Sequence, residues 1–300
     1  MMNLPVNIPY VDIEIVLGCF LRCRWCILDK ERPYQFMGLD LFKKIIDELE
    51  RARSGYERIL LFRSGEPFLH PNIAGLLTAI EEKPAFSDIV VEFYTNGMVL
   101  SEEQVETLVT SPLNVEIIFS IDGIGDRESF EYMRPGAIWE RMRDSIQRLA
   151  AARSASRYRN RKKLSVSTII PHQEAVPFFV PPEEEIKRRF SAVFGLIGID
   201  EFYYRGIHRW NGNHLVEKMP PPHEGRYGPC YFVKRGGISV LHDGKVSACC
   251  NDMEGNLLVG DLNHQSLAEI YYGQPLSMMR EMMLQHRRNR ISTCQNCDSL

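Results

Sequence analysis

Three cysteines near the start of the chain have the spacing of an iron–sulfur site. Cys19, Cys23 and Cys26 directly follow an apolar run at residues 11–16 that is predicted to form the first strand. Three thiolates at this spacing can ligate three irons of a 4Fe–4S cube and leave the fourth iron open. A zinc site normally needs a fourth ligand, and no nearby His or Cys offers one. The pattern therefore predicts a reactive iron–sulfur cluster rather than three unrelated thiols.

A second group of cysteines lies toward the other end of the chain and closes with a Cys-x-x-Cys pair. Its members are Cys230, Cys249, Cys250, Cys294 and Cys297. Four thiolates can hold a second 4Fe–4S cluster or a zinc ion in a ribbon, and the N-terminal triad favours iron and sulfide. Four ligands leave one cysteine of the vicinal pair unused. Because an S–H bond is weaker than an ordinary C–H bond, that thiol is either a buried spare or a hydrogen-atom donor to a carbon radical.

Composition limits the classes of protein that carry these sites. The 300 residues are 44% hydrophobic and 25% charged, which is typical of a globular protein large enough for one large and one small domain. A net charge of −3 argues against a general attraction to nucleic acid or to an anionic membrane. No apolar run approaches about 18 residues, and the start lacks the pattern of a signal peptide. We therefore expect a cytoplasmic protein with reduced thiols.

Short β-type runs alternate with helical patterns over the first two thirds of the chain. Strands are predicted at residues 11–16, 58–62, 89–94, 115–121, 164–170 and 199–204, and helices at 39–53, 72–82, 102–110, 138–153 and 183–190. Ser101 and Gln104 predict a capping box for the third helix. The alternation indicates a parallel sheet covered by helices. Six strands without a clear seventh or eighth favour a partial (β/α)6 barrel of TIM type, with its site at the C-terminal strand ends.

Acidic residues on the predicted strands are candidates for binding a polyamine substrate. Asp12 and Glu14 alternate on the first strand, Glu92 lies on the third and Glu116 on the fourth. If these side chains point into the barrel, they offer carboxylates to ammonium groups. The alternative is that they bind one another or water.

The N-terminal region resembles the radical S-adenosylmethionine (SAM) superfamily. That family has the same cysteine triad, usually with an aromatic residue before the last cysteine, where this chain has Trp25. The segment from Ser64 to Pro67 is similar to the family's Gly-Gly-Glu-Pro segment, which contacts the SAM amino group, with Ser in place of the first Gly. Matching segments also follow the third and fourth strands. The resemblance implies these SAM-binding residues: Trp25, Gly65, Glu66, Pro67, Asn96, Ser120 and Arg134.

The C-terminal region resembles the SPASM or shorter twitch extension of the same superfamily. Such a region holds auxiliary 4Fe–4S clusters, and the cysteines here suffice for one. The resemblance implies a partial barrel at residues 1–210, a linker rich in Gly and Pro at 211–228 and a twitch- or SPASM-like domain at 229–300. It also implies an auxiliary ligand set drawn from the second group of cysteines: Cys230, Cys250, Cys294 and Cys297.

The whole pattern is most similar to radical SAM enzymes of aminoglycoside biosynthesis, in particular to epimerases of the kind that turn neomycin C into neomycin B. That resemblance implies Cys249 as the hydrogen donor, whereas the general SPASM pattern would make Cys250 the donor. It implies two 4Fe–4S clusters, SAM, an aminoglycoside substrate and an external reductant of flavodoxin or ferredoxin type, without nucleic acid or membrane partners. A dehydrogenase of an amino-cyclitol alcohol, a peptide-modifying enzyme and a non-catalytic metal-binding module remain alternatives.

Overall fold

The computed structural model describes residues 6–8, 10–29, 31–54, 57–206, 230, 238–294 and 297. The linker expected at 211–228 lies outside these ranges. The strands are β1 (Val6–Asn7), β2 (Tyr10–Ile13), β3 (Val16–Leu17), β4 (Gln35–Phe36), β5 (Arg53–Ser54), β6 (Arg58–Leu60), β7 (Val90–Thr95), β8 (Asn114–Ser120), β9 (Lys162–Ile170), β10 (Glu201–Gly206), β11 (Ile238–Val240), β12 (Lys245–Ser247) and β13 (Leu258–Asp261). The helices are α1 (Leu39–Arg51), α2 (Ile73–Glu81), α3 (Glu102–Thr110), α4 (Arg127–Met133), α5 (Trp139–Ala155), α6 (Glu183–Phe194), α7 (Leu267–Tyr271) and α8 (Gln274–Leu284).

Six strands of the main sheet form the expected partial barrel. They are parallel and lie in the order β10-β9-β8-β7-β6-β2, with helices in the connections between them. The predicted strands and helices of this region are confirmed within a few residues at their ends. The first strand is the main exception. It ends at Ile13 rather than at residue 16, because Val16 and Leu17 turn away to pair with Phe36 and Gln35.

Helix boundaries follow ordinary capping chemistry. Ser101 and Gln104 form the predicted capping box of α3. The Gln104 amide donates to Ser101 Oγ at 3.1 Å, and the Ser101 amide donates to Gln104 Oε1 at 3.0 Å. Helix α4 was not predicted, and it begins where the Asp126 carboxylate accepts a 2.9 Å hydrogen bond from the Ser129 amide. Among the described residues, no helix combines the length and the apolar character needed to cross a lipid bilayer.

The C-terminal region extends the barrel sheet instead of standing beside it. Strand β11 pairs in parallel with β2, so that Ser239 lies opposite Asp12 and Val240 opposite Ile13. Strands β12 and β13 then continue the same sheet in antiparallel fashion. The core is correspondingly continuous, since buried side chains of β2 and β11 belong to one apolar cluster. The hairpin that leads to Cys249 and Cys250 is thereby attached to the barrel.

Candidate active site

A cavity of about 910 Å³ lies at the C-terminal ends of the parallel strands. Cys19, Cys23 and Cys26 all line it, so the fold brings the three predicted iron ligands to one wall. The cavity is also lined by Cys250, from the distant second group. This is the edge at which a parallel barrel places its chemistry.

Close backbone packing holds the cysteine loop against the next strand connection. The Gly18 amide donates to the Ser64 carbonyl at 2.9 Å, and the Glu66 amide donates to the Gly18 carbonyl at 3.1 Å. A Cβ atom on Gly65 would lie 2.3 Å from the Val16 carbonyl oxygen, which no side chain tolerates. Gly65 is therefore required for this approach. The approach in turn sets the position of Cys19.

The sulfur atoms of the triad have polar neighbours that suit an iron–sulfur cluster. The side-chain Nδ2 of Asn96 lies 3.7 Å from the Cys19 sulfur, and Arg134 Nη1 lies 3.8 Å from the Cys23 sulfur. Burial raises the pKa of the Cys23 thiol to about 12, and iron would replace that proton. No three metal-binding side chains among the described residues are gathered around a single-ion site.

Glu66 holds the neighbouring strand end in place. Its carboxylate accepts hydrogen bonds from Thr95 Oγ1 at 2.7 Å and from the Asn96 amide at 2.8 Å, and it also accepts one from the Phe68 amide at 3.3 Å. Burial raises the pKa of this carboxyl to about 7 against the effect of those donors. Glu66 therefore orients the Thr95–Asn96 turn. The side-chain amide of Asn96, on this turn, faces Cys19. Pro67 begins a short 3₁₀ turn behind the cavity rather than lining it.

The buried residues Arg134 and Asp122 form a group with the half-buried Trp25 beside the triad. Arg134 Nε lies 2.7 Å from Asp122 Oδ2, and Trp25 Nε1 donates to the same oxygen at 2.6 Å. The other Asp122 oxygen accepts from the Ile169 amide at 3.0 Å. All three side chains line the cavity, as does Ser120. The expected SAM-binding positions other than Pro67 are therefore gathered at this wall.

The vicinal cysteines lie at the boundary between the cavity and the second cysteine group. Cys250 lines the cavity, and the negative charge of Asp12 helps to raise the pKa of its thiol. Cys249 lies near Cys294 and helps to raise the pKa of that thiol. The two thiols hydrogen-bond to each other; this bond lowers the pKa of Cys249 and, together with burial, raises that of Cys250. Of the two thiols, Cys250 is the one that lines the cavity, whereas the epimerase resemblance implies Cys249 as the donor.

The remaining cysteines of the second group lie near Cys249. Cys230 is buried with Met283 in a small apolar cluster, and Cys294 packs against that cluster. Cys294 is also within electrostatic range of Cys230, Cys249 and Cys297, and burial is the main cause that raises its pKa to about 12. These contacts gather four thiols around one location, as an auxiliary cluster requires.

The four acidic candidates separate into two kinds. Asp12 and Glu92 line the cavity. Glu14 and Glu116 are not among the lining residues, and their carboxylates are engaged by protein groups. Glu116 binds Arg58 at 2.9 Å and also contacts Ser165, Lys163 and Tyr203.

Glu14 and Glu92 are also paired with basic side chains. Glu14 binds Arg63 and His242 at 3.1 and 2.9 Å, and Glu92 forms an ion pair with Arg58. Burial raises the pKa of Asp12 to about 7, whereas Glu14 is held below its ordinary pKa by these two partners despite its burial. The alternating pattern had indicated the strand face but not which carboxylates would be taken up by cations.

Several cavity residues were not anticipated from the sequence. Arg58, Arg63, Tyr94 and Arg205 line the cavity, and Arg205 donates to the Tyr94 hydroxyl at 3.0 Å. Their charge was visible in the sequence. However, an arginine in or beside a predicted strand is ordinarily expected to face solvent. Only the curvature of the sheet turns them inward.

An open parallel barrel with a three-thiol site at its mouth and a second thiol group beside it defines an iron–sulfur enzyme. A model of the radical SAM superfamily matches residues 13–171, more than half of the chain, and a SPASM iron–sulfur cluster-binding domain matches residues 230–298. The chain belongs to the radical SAM superfamily. Its cofactors are accordingly SAM and a 4Fe–4S cluster, with auxiliary iron–sulfur binding in the SPASM region. Many enzymes of this family act on small molecules, and they need a reductant.

Curated relatives match only part of the chain. A GTP 3',8-cyclase of Chlorobaculum tepidum is 32% identical over 150 residues, which cover 49% of this chain and 43% of the relative. A GTP 3',8-cyclase of Syntrophomonas wolfei subsp. wolfei is 28% identical over 144 residues, which cover 47% and 42%. The chain thus spans less than half the length of the relatives it matches.

Solved structures share the fold over nearly the whole chain. BtrN in complex with AdoMet and 2-DOIA has a TM-score of 0.61 at 16% identity, with coverage of 99% of this chain and 95% of BtrN. Streptococcus suis SuiB bound to precursor peptide SuiA has a TM-score of 0.70 at 15% identity, with coverage of 99% and 70%. At such identities these likenesses establish the common fold alone.

Proposed function

We propose that this chain is a radical SAM epimerase that inverts one carbon of an aminoglycoside sugar, in the manner of the conversion of neomycin C to neomycin B. The observation that carries the proposal is the vicinal pair Cys249 and Cys250, of which Cys250 lines the same cavity as the triad. An epimerase needs a hydrogen donor on the opposite face of the substrate radical, and a dehydrogenase does not.

When bound, the cluster and SAM supply a 5'-deoxyadenosyl radical that removes one hydrogen atom from the sugar. One thiol of the vicinal pair then breaks its S–H bond and forms the new C–H bond. The resulting thiyl radical takes one electron, supplied in the end by a flavodoxin- or ferredoxin-type reductant, and one proton. The second cysteine of the pair ligates the auxiliary cluster. The epimerase resemblance favours Cys249 as the donor, and the cavity lining favours Cys250.

Two carboxylates of the mixed-charge cavity lining support a polyamine substrate. Asp12 and Glu92 offer carboxylates to ammonium groups, and Arg58 neutralises part of that charge. The proposed iron sites need reduced thiolates, so the proposed location is the cytoplasm. The second candidate is a dehydrogenase of an amino-cyclitol alcohol, since an auxiliary cluster can accept the electron that the substrate radical would lose.

Product analysis in deuterated water tests these candidates against each other. The reconstituted protein is incubated anaerobically with SAM, reductant and, separately, neomycin-type aminoglycosides, amino-cyclitol alcohols and GTP. We expect one deuterium at one inverted carbon of an aminoglycoside. An oxidised product would establish the dehydrogenase, and a product from GTP alone would establish the activity named for the curated relatives. A lack of 5'-deoxyadenosine with every substrate would favour a non-catalytic module.

A further inference from the structure

Arg63 joins the barrel to the loop that carries the vicinal cysteines. Its Nη1 lies 3.1 Å from Glu14 Oε2, and both side chains are only 2% exposed. Its Nη2 donates to the Cys249 carbonyl at 3.4 Å and to the Asp252 carbonyl at shorter range. One guanidinium thus connects the first barrel strand region to both ends of the turn that contains Cys250.

Glu14 is held in place from the other side. Its second carboxylate oxygen accepts from the His242 amide at 3.3 Å and lies 2.9 Å from His242 Nδ1. His242 Nε2 in turn lies 2.7 Å from Gln35 Oε1. Because the carboxylate is anchored on the hairpin as well as on the barrel, it fixes the direction of the Arg63 side chain. A charged pair so deeply buried must be satisfied by such contacts to persist.

Ser64 adds a second link between the same two regions. Its hydroxyl lies 3.3 Å from the Met253 sulfur and also hydrogen-bonds to Glu14. This is the position at which the chain departs from the glycine of the related motif. The departure therefore has a local physical role, which is contact with the loop at residues 249–253.

The loop itself is internally braced but needs an external anchor to face the cavity. Asp252 accepts hydrogen bonds from Ser247 Oγ at 2.7 Å and from the Leu257 and Asn256 amides, each at 2.8 Å. These bonds shape the turn without fixing its position relative to the barrel. Beyond the pairing of β11 with β2, Arg63 and Ser64 inside the protein and an Arg32–Glu254 ion pair near its surface link this loop to the barrel.

We propose that Arg63, oriented by Glu14, is a positioning residue that holds the vicinal cysteine loop so that one thiol faces the substrate and the other faces the auxiliary cluster. The inference rests on the proposed hydrogen donation for its catalytic consequence, but the placement of the loop is independent of it. Arg63 acts through the backbone of the loop, by its hydrogen bonds to the Cys249 and Asp252 carbonyls. Its loss should separate radical formation from hydrogen return.

The test compares Arg63→Met, Arg63→Lys and the control Arg32→Met, which removes an exposed anchor of the same loop. In the metal-free protein, we measure hydrogen exchange of residues 247–257 and the alkylation rate of the vicinal cysteines by peptide mass spectrometry. Arg63→Met should raise both by about tenfold, because buried charge-assisted hydrogen bonds are lost. In Arg63→Lys, both the exchange and the alkylation rates should lie between those of Arg63→Met and the wild type. In Arg32→Met, both rates should match the wild type.

In the reconstituted protein, the ratio of 5'-deoxyadenosine to inverted product is measured together with iron content. Arg63→Met should keep most SAM cleavage while that ratio rises by about tenfold or more, since small misplacements of reacting groups are costly. Unchanged exchange and alkylation would overturn the positioning role even if epimerisation is real. Faster exchange with no inverted product in the wild type would instead reject the proposed function. If Arg63→Met does not fold, Arg63→Lys carries the same comparison.

Discussion

Arg134 Nε lies 2.7 Å from Asp122 Oδ2, and both side chains are more than nine-tenths buried. The same guanidinium reaches toward the Cys23 sulfur, so Arg134 connects an internal carboxylate with the cluster wall. A role toward SAM and a role in the fold can therefore be separated by changing the shape of the cation without removing its charge.

Arg134→Lys should weaken SAM binding by about tenfold, because an ammonium loses the planar fork that matches a carboxylate. Its thermal unfolding midpoint should stay near that of the wild type, since Asp122 keeps a cation. Arg134→Ala should lose both affinity and about 3 kcal/mol of stability by leaving a buried charge unpaired. Binding is measured by equilibrium dialysis with the cluster monitored by absorbance. Unchanged SAM affinity in both variants would make Arg134 a structural residue.

Cys23→Ala should abolish 5'-deoxyadenosine formation and lower the iron content from about eight to about four per chain. The auxiliary cluster persists because none of its proposed ligands has changed. Cys297→Ala is the matched control, which should lose a similar amount of iron from the other site. Iron assay and product chromatography provide the readouts. SAM cleavage at the wild-type rate in Cys23→Ala would refute the assignment of the triad.

The two members of the vicinal pair should give opposite results on replacement by Ala. One variant should keep its iron and cleave SAM but form no inverted product, because hydrogen return follows abstraction. The other should lose about four irons. Cys249→Ala is the first kind if the epimerase resemblance holds, and Cys250→Ala is the first kind if the cavity-facing orientation holds. Equal behaviour of both variants, or inversion at full rate in both, would contradict a division of roles.

The affinity for a cationic substrate should depend on pH through Asp12. Its pKa of about 7 leaves the carboxyl partly protonated at neutral pH, and an ammonium group binds the ionised form. Affinity should therefore rise from pH 6 to pH 8, and Asp12→Asn should lower it and flatten that dependence. Glu92→Gln serves as the comparison, since Arg58 already pairs with that carboxylate. Titration calorimetry with the aminoglycoside measures the effect, and an unchanged slope in Asp12→Asn would exclude Asp12 as the titrating group.

Local sequence signals were sufficient where a residue's role depends on its own element. The capping box of α3 follows from adjacent residues and could be predicted. The partners of Glu14 could not, because one lies 49 positions away in the sequence and the other 228. Alternation along a strand gives the face of a side chain, whereas the cation that reaches it depends on tertiary packing.

The parallel pairing of β11 was equally inaccessible. The strand Ile238–Val240 is only three residues long, which is too short to show an alternating pattern. Its sequence gives no indication that it pairs with β2. The orientation of Cys249 and Cys250 also depends on this pairing, because the hairpin that follows β11 delivers them. Sequence reasoning could identify the pair but not the direction in which each thiol points.

The pairing of β11 with β2 also bears on how the chain folds. Without β11, strand β2 would be a sheet edge with open backbone donors and acceptors, flanked by the fully buried side chains of Val11 and Ile13. Exposed apolar edges of this kind recruit other chains and cause aggregation. A fragment that stops before Ile238 would therefore be prone to self-association through this open edge.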